Sequence, residues 1–411
     1  VCIAAALFSG CANPLASTGA AATSSAAAKP PVAMPVTFVF TSDVHFGITR
    51  GSFRGEGNVA SRVVDAALVA KINRLPAAVL PNDGGLRAGE PVGPIAFAVI
   101  TGDIANRQEL YPIHIQSASV SWAQFEETIW QKFALKNSAG EPAPLLLVPG
   151  NHDVADAIGA PTKMVPATDA TSMAEMYNRM LHPAVPLTKD TYDYATNKIY
   201  YSRDFGGAHC VFLTMWPGSD ARAWIENDLK AVPATTPVFL FCHDPPDIDA
   251  RHLTNPHGNH SINERDKYEN MVSEVYAGGA ANTEKKKKAK DDSRPDGDTS
   301  IEQRQLADFL RRHPNITGFF HGHNNWHEFY VWRGPDGDLA LNTFRADSPM
   351  KGRESGKDEK RLSFQLITFD TATQTLTSRE CRWNAQGKAD TDETPVGWGE
   401  SHTVSIAPRA N

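Results

Sequence analysis

The sequence predicts an α/β fold, a four-layer α-β-β-α sandwich in which two mixed sheets pack together between helices. Apolar runs of strand length alternate with helix-period segments through the first two thirds, and consecutive strand-like runs fill the last third. The 411 residues are 41% hydrophobic, ample for one large core. Val36 to Ser42 reads as a strand, and Asn58 to Leu75 as a helix with Val59, Val63, Ala67 and Leu68 on one face, stopped by Pro76. Ile95 to Thr101 is the next strand, and Gln116 to Lys136 a helix carrying Trp122, Phe125, Ile129 and Trp130. Leu145 to Val148 is a buried strand, and Ala170 to Leu181 a helix. Ile199 to Asp204 and His209 to Met215 form adjacent strands, before a helix over Asp220 to Val232 capped from Ser219 or Asp220. Strand Val238 to Cys242, helix Ile301 to Arg312 and strand Ile316 to Phe320 follow. Phe329 to Trp332, Leu339 to Thr343, Phe364 to Phe369 and Leu376 to Trp383 complete the strand-rich end.

The folded domain is expected over residues 36–385, with a tail at 386–411 and a polar insertion at about 244–298 that includes the Lys285 to Lys290 charge run. Residues 1–35 read as an export-signal remnant and a small, polar linker. Phe8-Ser9-Gly10-Cys11 resembles a lipobox, in which Cys11 would be lipidated and anchor the chain to a membrane; the alternative is cleavage near Ala16 or Ala20 and free secretion. Either way the chain is expected outside the cytoplasm, as a periplasmic or cell-surface lipoprotein or else secreted. The net charge of −7 gives no support for a nucleic-acid partner. Cys210, Cys242 and Cys381 show no C-x-x-C spacing and leave one disulfide or three buried thiols open.

Strand after strand ends in a candidate metal ligand. The blocks are Asp43-Val44-His45, Gly102-Asp103, Gly150-Asn151-His152-Asp153, His243 and Gly322-His323. Taken singly, such a carboxylate often caps a turn and such a histidine often sits hydrogen-bonded in a core. Taken together, at the carboxyl ends of strands in an α/β sheet, they converge on one crevice. Carboxylate, imidazole and carboxamide donors suit first-row divalent ions, and one bridging carboxylate would make a two-metal clamp for phosphoryl transfer.

The ordered set D-x-H, G-D, G-N-H-D, H, G-H resembles the calcineurin-like metallophosphoesterase superfamily from Asp43 to His323. The resemblance implies two divalent ions, of Mn, Fe or Zn, and attack by a metal-bound hydroxide on a phosphorylated small molecule or lipid. It assigns Asp43 and His45 to the first ion, Asp103 to both, and Asn151, His243 and His323 to the second. His152 would contact the phosphoryl group and protonate the leaving oxygen, with Asp153 fixing its tautomer. The family's closing G-H-x-H is altered here, so that Asn325 stands where the last first-metal histidine belongs, with His321 and His327 nearby. Asn106 stands where the purple acid phosphatases have a tyrosine ligand, which sets the chain apart from that branch. Arg50, Arg54 and Arg107 are candidate phosphate contacts, equally able to be plain solvated surface arginines, and His252 is a further candidate because the resemblance implies that the segment after His243 can border the active site. The expected activity is phosphoester hydrolysis, monoesters ahead of diesters. The alternative is a surface-anchored binding protein weakened as an enzyme by Asn325.

Overall fold

A computed structural model of the chain describes residues 34–105, 108–110, 114–155, 169–194, 196–248 and 300–410. Strand β1 (Val36–Thr41) leads through the hairpin β2 (Thr49–Phe53) and β3 (Glu56–Ala60) into α1 (Ser61–Arg74). β4 (Phe97–Ile100) is followed by a second hairpin, β5 (Gln108–Leu110) and β6 (His114–Gln116), and by α2 (Ala118–Phe125), which widens into a π-helical turn over Glu126–Trp130. β7 (Leu145–Leu147), the short α3 (Asn151–Ala155) and α4 (Thr171–Leu181) come next. Then run β8 (Tyr201–Phe205), β9 (Ala208–Phe212), α5 (Ser219–Asp228), β10 (Val238–Phe241), α6 (Ser300–Arg312) and β11 (Ile316–His321). The chain ends in β12 (Glu328–Trp332), β13 (Leu341–Arg345), β14 (Ser363–Asp370), β15 (Thr375–Arg382) and β16 (Gly397–Ser405).

These strands form the two large mixed sheets expected from the sequence, ordered β16-β15-β14-β1-β4-β7 and β12-β13-β11-β10-β9-β8. The central strands β1, β4 and β7 are parallel, as are β9, β10, β11 and β13. Their near-continuous apolar runs follow from burial on both faces. Phenylalanines make the seam between the sheets: Phe38 meets Phe241 at 5.8 Å and Phe320 at 5.6 Å, and Phe40 meets Phe320 at 5.4 Å, all edge to face. Such pairs add about 0.5–1.5 kcal/mol each beyond the area they bury. Leu306, Phe309 and Leu310 of α6 are buried, while Arg304 and Arg311 pair outward with Asp336 and Asp338. Cys210, Cys242 and Cys381 are buried free thiols.

Three expectations need correction. The first helix begins at Ser61, because residues 56–60 pair instead with 49–53 around a turn in which Arg54 and Gly55 take positive φ. The α5 N-cap is Gly218, without a side-chain cap bond, rather than Ser219 or Asp220. The stretch read as a tail carries β16, paired antiparallel with β15. An edge strand exposes part of one face to water, so β16 lacks the apolar run that marks an inner strand. Of the polar insertion, residues 249–298 lie outside the described residues.

Candidate metal centre

The candidate ligands follow the carboxyl ends of five parallel strands. Asp43 and His45 follow β1, Asp103 follows β4, Asn151 and His152 follow β7, His243 follows β10, and His323 follows β11. Backbone bonds knit these loops together: Asp43 N–H donates to Gly102 O (3.0 Å), His45 N–H to Asp103 O (2.9 Å), and Gly322 N–H to His243 O (3.1 Å). Asp43, His45, Asp103, His323 and Asn325 all have positive φ, between 46° and 66°. Side chains rarely adopt this region, and residues held there cluster at functional sites. The flanking glycines are required by space. A Cβ on Gly150 would lie 2.4 Å from Asp103 Oδ1, and one on Gly322 1.9 Å from Ser42 Oγ and 2.3 Å from Asp43 Oδ2.

Three overlapping groups of ligand atoms, each within 4.8 Å, result: His45, Asp103 and His152; Asp43, Asp103 and His243; and His243, Asp244 and His323. Asp103 Oδ2 faces His45 Nε2 at 3.6 Å, whereas its Oδ1 faces His243 Nε2 at 3.4 Å. Asn151 Oδ1 lies 3.0 Å from His243 Nε2 and 3.2 Å from His323 Nδ1. His323 Nδ1 is also 3.5 Å from Asp244 Oδ1. The neighbouring bonds aim these atoms: Nδ1 of His243 lies 2.7 Å from the Thr101 carbonyl, which presents Nε2 to the cluster, and Asp43 Oδ2 accepts from His323 N–H at 3.0 Å.

The cluster is built to hold positive charge. Burial would raise the Asp103 carboxyl, but His243, His152 and His45 hold it well below the usual carboxylate range. Burial would lower His243, but Asp103 above all, with Asp43 and Asp244, raises it to about 10. Asp43 Oδ1 is buried without a hydrogen-bond partner among the described residues. Buried carboxylates beside imidazoles, one of their oxygens unsatisfied, fit first-row divalent ions.

Several side chains sit differently from their expected roles. Asp153 accepts from the backbone N–H groups of Gly150 (2.9 Å), Ile104 (3.1 Å) and Ala105 (3.0 Å). These described bonds clamp two ligand loops together, in place of the tautomer-fixing bond to His152. Burial, then the Asp103 charge, raises its carboxyl to about 7. Asn325 Nδ2 donates to His323 O (2.7 Å), and its buried Oδ1 has no hydrogen-bond partner among the described residues. His321 contacts Gly322 O and Tyr330 Oη, both at 3.0 Å, and is a satisfied core histidine. The charged neighbours of His327 are Glu380, Glu400, His402 and Arg382, none of them in the cluster. Arg54 turns to Asp392 (2.7 Å), Asp390 (3.5 Å) and Asn384 (3.1 Å) and not to the cluster. Arg50 is buried and donates to the carbonyls of Pro349 and Ser355. Cys11, Asn106, Arg107 and His252 lie outside the described residues. Asp244 was missed by sequence reasoning, although a carboxylate directly after a strand-end histidine was a readable signal. Lys351, whose Nζ lies 3.1 Å from His152 Nε2, carried no motif at all.

A segment 26% identical over 171 residues is found in purple acid phosphatase 22 of Arabidopsis thaliana, covering 37% of this chain and 36% of that protein. Another, 30% identical over 210 residues, is found in a probable cyclic nucleotide phosphodiesterase of Rhodopseudomonas palustris, covering 51% and 57%. The chain thus spans little more than half the length of these relatives at most. Among solved structures, a dimetal phosphatase from Danio rerio aligns over 90% of this chain and 99% of its own, at 11% identity and a TM-score of 0.47. Residues 36–323 match the family described as calcineurin-like phosphoesterase. That span runs from the first strand to the last clustered histidine, and the chain belongs to the calcineurin-like phosphoesterase family.

Proposed function

We propose that this metal-dependent phosphoesterase is an exported phosphomonoesterase with a binuclear centre of Mn, Fe or Zn. The observation that carries the binuclear reading is the Asp103 carboxylate, whose two oxygens face His45 on one side and His243 on the other. Asp43, His45 and Asp103 would hold one ion, and Asp103, Asn151, His243 and His323 the other, with Asp244 beside them. When bound, such ions neutralise phosphoryl charge and activate water. His152 lies at the edge of the cluster, its backbone N–H donating to Asp103 Oδ1 at 2.9 Å, and its ring stands edge-on to His45 at 5.1 Å. From there it would contact the phosphoryl group and pass a proton to the leaving oxygen.

Monoesters are placed ahead of diesters on charge: His152 and Lys351 line the site, and a monoester carries more negative charge than a diester. The second reading, diester hydrolysis, is favoured by the likeness to the Rhodopseudomonas palustris protein, named as a probable cyclic nucleotide phosphodiesterase. Chelation followed by reloading with Mn²⁺, Fe²⁺ or Zn²⁺, assayed on nitrophenyl phosphate and bis-nitrophenyl phosphate, separates the two. Faster monoester turnover supports the first reading, and faster diester turnover reverses the order. Full activity after complete chelation would exclude metal dependence.

Export rests on the lipobox-like Phe8-Ser9-Gly10-Cys11. Through Cys11 the enzyme would sit on a membrane, within reach of lipid as well as small-molecule phosphates. Membrane fractionation of wild type and Cys11→Ser tests this, and identical soluble distribution of the two would refute the anchor.

A further inference from the structure

We infer that Lys351 contacts the substrate phosphoryl group and sets the preference for monoesters. The inference rests on the phosphoesterase reading above and names a further residue of that site. Lys351 lies in the turn after β13, on the same side of the second sheet as His243 and His323. Its residue is exposed, yet its Nζ turns inward to 3.1 Å from His152 Nε2. The turn is fastened rather than free. Ser348 Oγ donates to the Asp43 carbonyl at 2.7 Å and accepts from the N–H groups of Met350 (3.2 Å) and Lys351 (2.9 Å). The buried Arg50 donates to Pro349 O at 2.7 Å, and Arg353 N–H donates to Asn325 O at 2.6 Å. Gly352 permits the fold of the turn, since a Cβ there would lie 1.7 Å from Ser355 Oγ. One anchor is thus the Asp43 loop and another the His323 to Asn325 loop, so the ammonium is held in register with both halves of the cluster.

A preorganised cation beside the proposed proton donor needs an anion. Burial disfavours its charge, and the nearby Asp103 and Asp43 carboxylates only partly offset that cost. Cations bound by those carboxylates would offset their charge, and the anion left to meet the ammonium is the phosphoryl oxygen. A dianionic monoester gains more from that contact than a monoanionic diester.

The test compares wild type, Lys351→Met and Lys351→Arg, each loaded with Mn²⁺, by metal content, titration with inorganic phosphate and turnover of both nitrophenyl esters. Lys351→Met is expected to keep its metal and to lose about 10- to 100-fold in phosphate affinity and in monoester kcat/KM, the size of a lost charge-assisted contact. Diester kcat/KM should fall by less than about threefold, and Lys351→Arg should recover most of the phosphate affinity. Unchanged phosphate affinity in Lys351→Met, or equal loss on both esters, would overturn the contact. If wild type turns over neither ester, the enzyme reading falls on that result, while the phosphate titration still decides for or against Lys351.

Discussion

The two halves of the ligand cluster are assembled in different ways. Asp43, His45 and Asp103 come from β1 and β4, parallel neighbours in one sheet, and backbone bonds between their loops fix them directly. His243, Asp244 and His323 come from β10 and β11 of the other sheet, and are completed across the sandwich by Asn151 after β7. The first half is therefore a local product of one strand pair. The second depends on how the sheets pack, through the Phe38, Phe40 and Phe320 seam. Composition differs too: the second half gains the carboxylate of Asp244, whereas the first has Asn325 where the family pattern has a histidine. A shared Asp103 would make the halves interdependent, and this can be broken one residue at a time.

The largest effect is expected at the shared carboxylate. Asp103→Asn should lower occupancy of both sites and cost about 10³-fold or more in activity, since metal charge stabilisation is worth several kcal/mol. Asp43→Asn should empty chiefly one site. Metal analysis finding the two variants alike and fully loaded would dissolve the distinction between the halves. Next comes His152→Ala, expected to retain metal and lose about 10²–10⁴-fold on alkyl phosphates, and less on nitrophenyl phosphates with their better leaving group. An equal loss on both would leave His152 a phosphate contact without an acid role. Asp244→Asn should weaken metal in the second half alone by about 10- to 100-fold, the usual cost of losing a partner that supports a ligand. Weakening in the first half as well would show that the sheets communicate through the cluster. Smallest is Asn325→His, expected to tighten Zn²⁺ in the first half by less than about tenfold while His327→Ala changes nothing. A Zn²⁺ titration in which only His327→Ala moves would assign that position to His327 instead.

The sequence carried the inner architecture and the residues that cluster at the strand ends because both are locally written. Buried parallel strands require continuous apolar runs, and each ligand block immediately follows such a run. What escaped was written at long range. Lys351 reaches His152 from 199 positions away, held by anchors on three other segments. Arg54, read as facing phosphate because it follows a ligand loop, is drawn off by Asp390 and Asp392 far along the chain. β16 was hidden by its edge position, and Asp153 by a carboxylate that engages main chain rather than its neighbouring ring.

The left-handed backbone at Asp43, His45, Asp103, His323 and Asn325 has an evolutionary consequence. Non-glycine residues held in such regions cost of order 1–3 kcal/mol each, and glycine would relieve most of it. Selection for thermal stability alone would therefore drift toward glycine at these positions and yield sturdier but inactive proteins. Variants recovered from such a screen would trade catalysis for melting temperature at the same few codons, a signature absent from screens that also demand turnover.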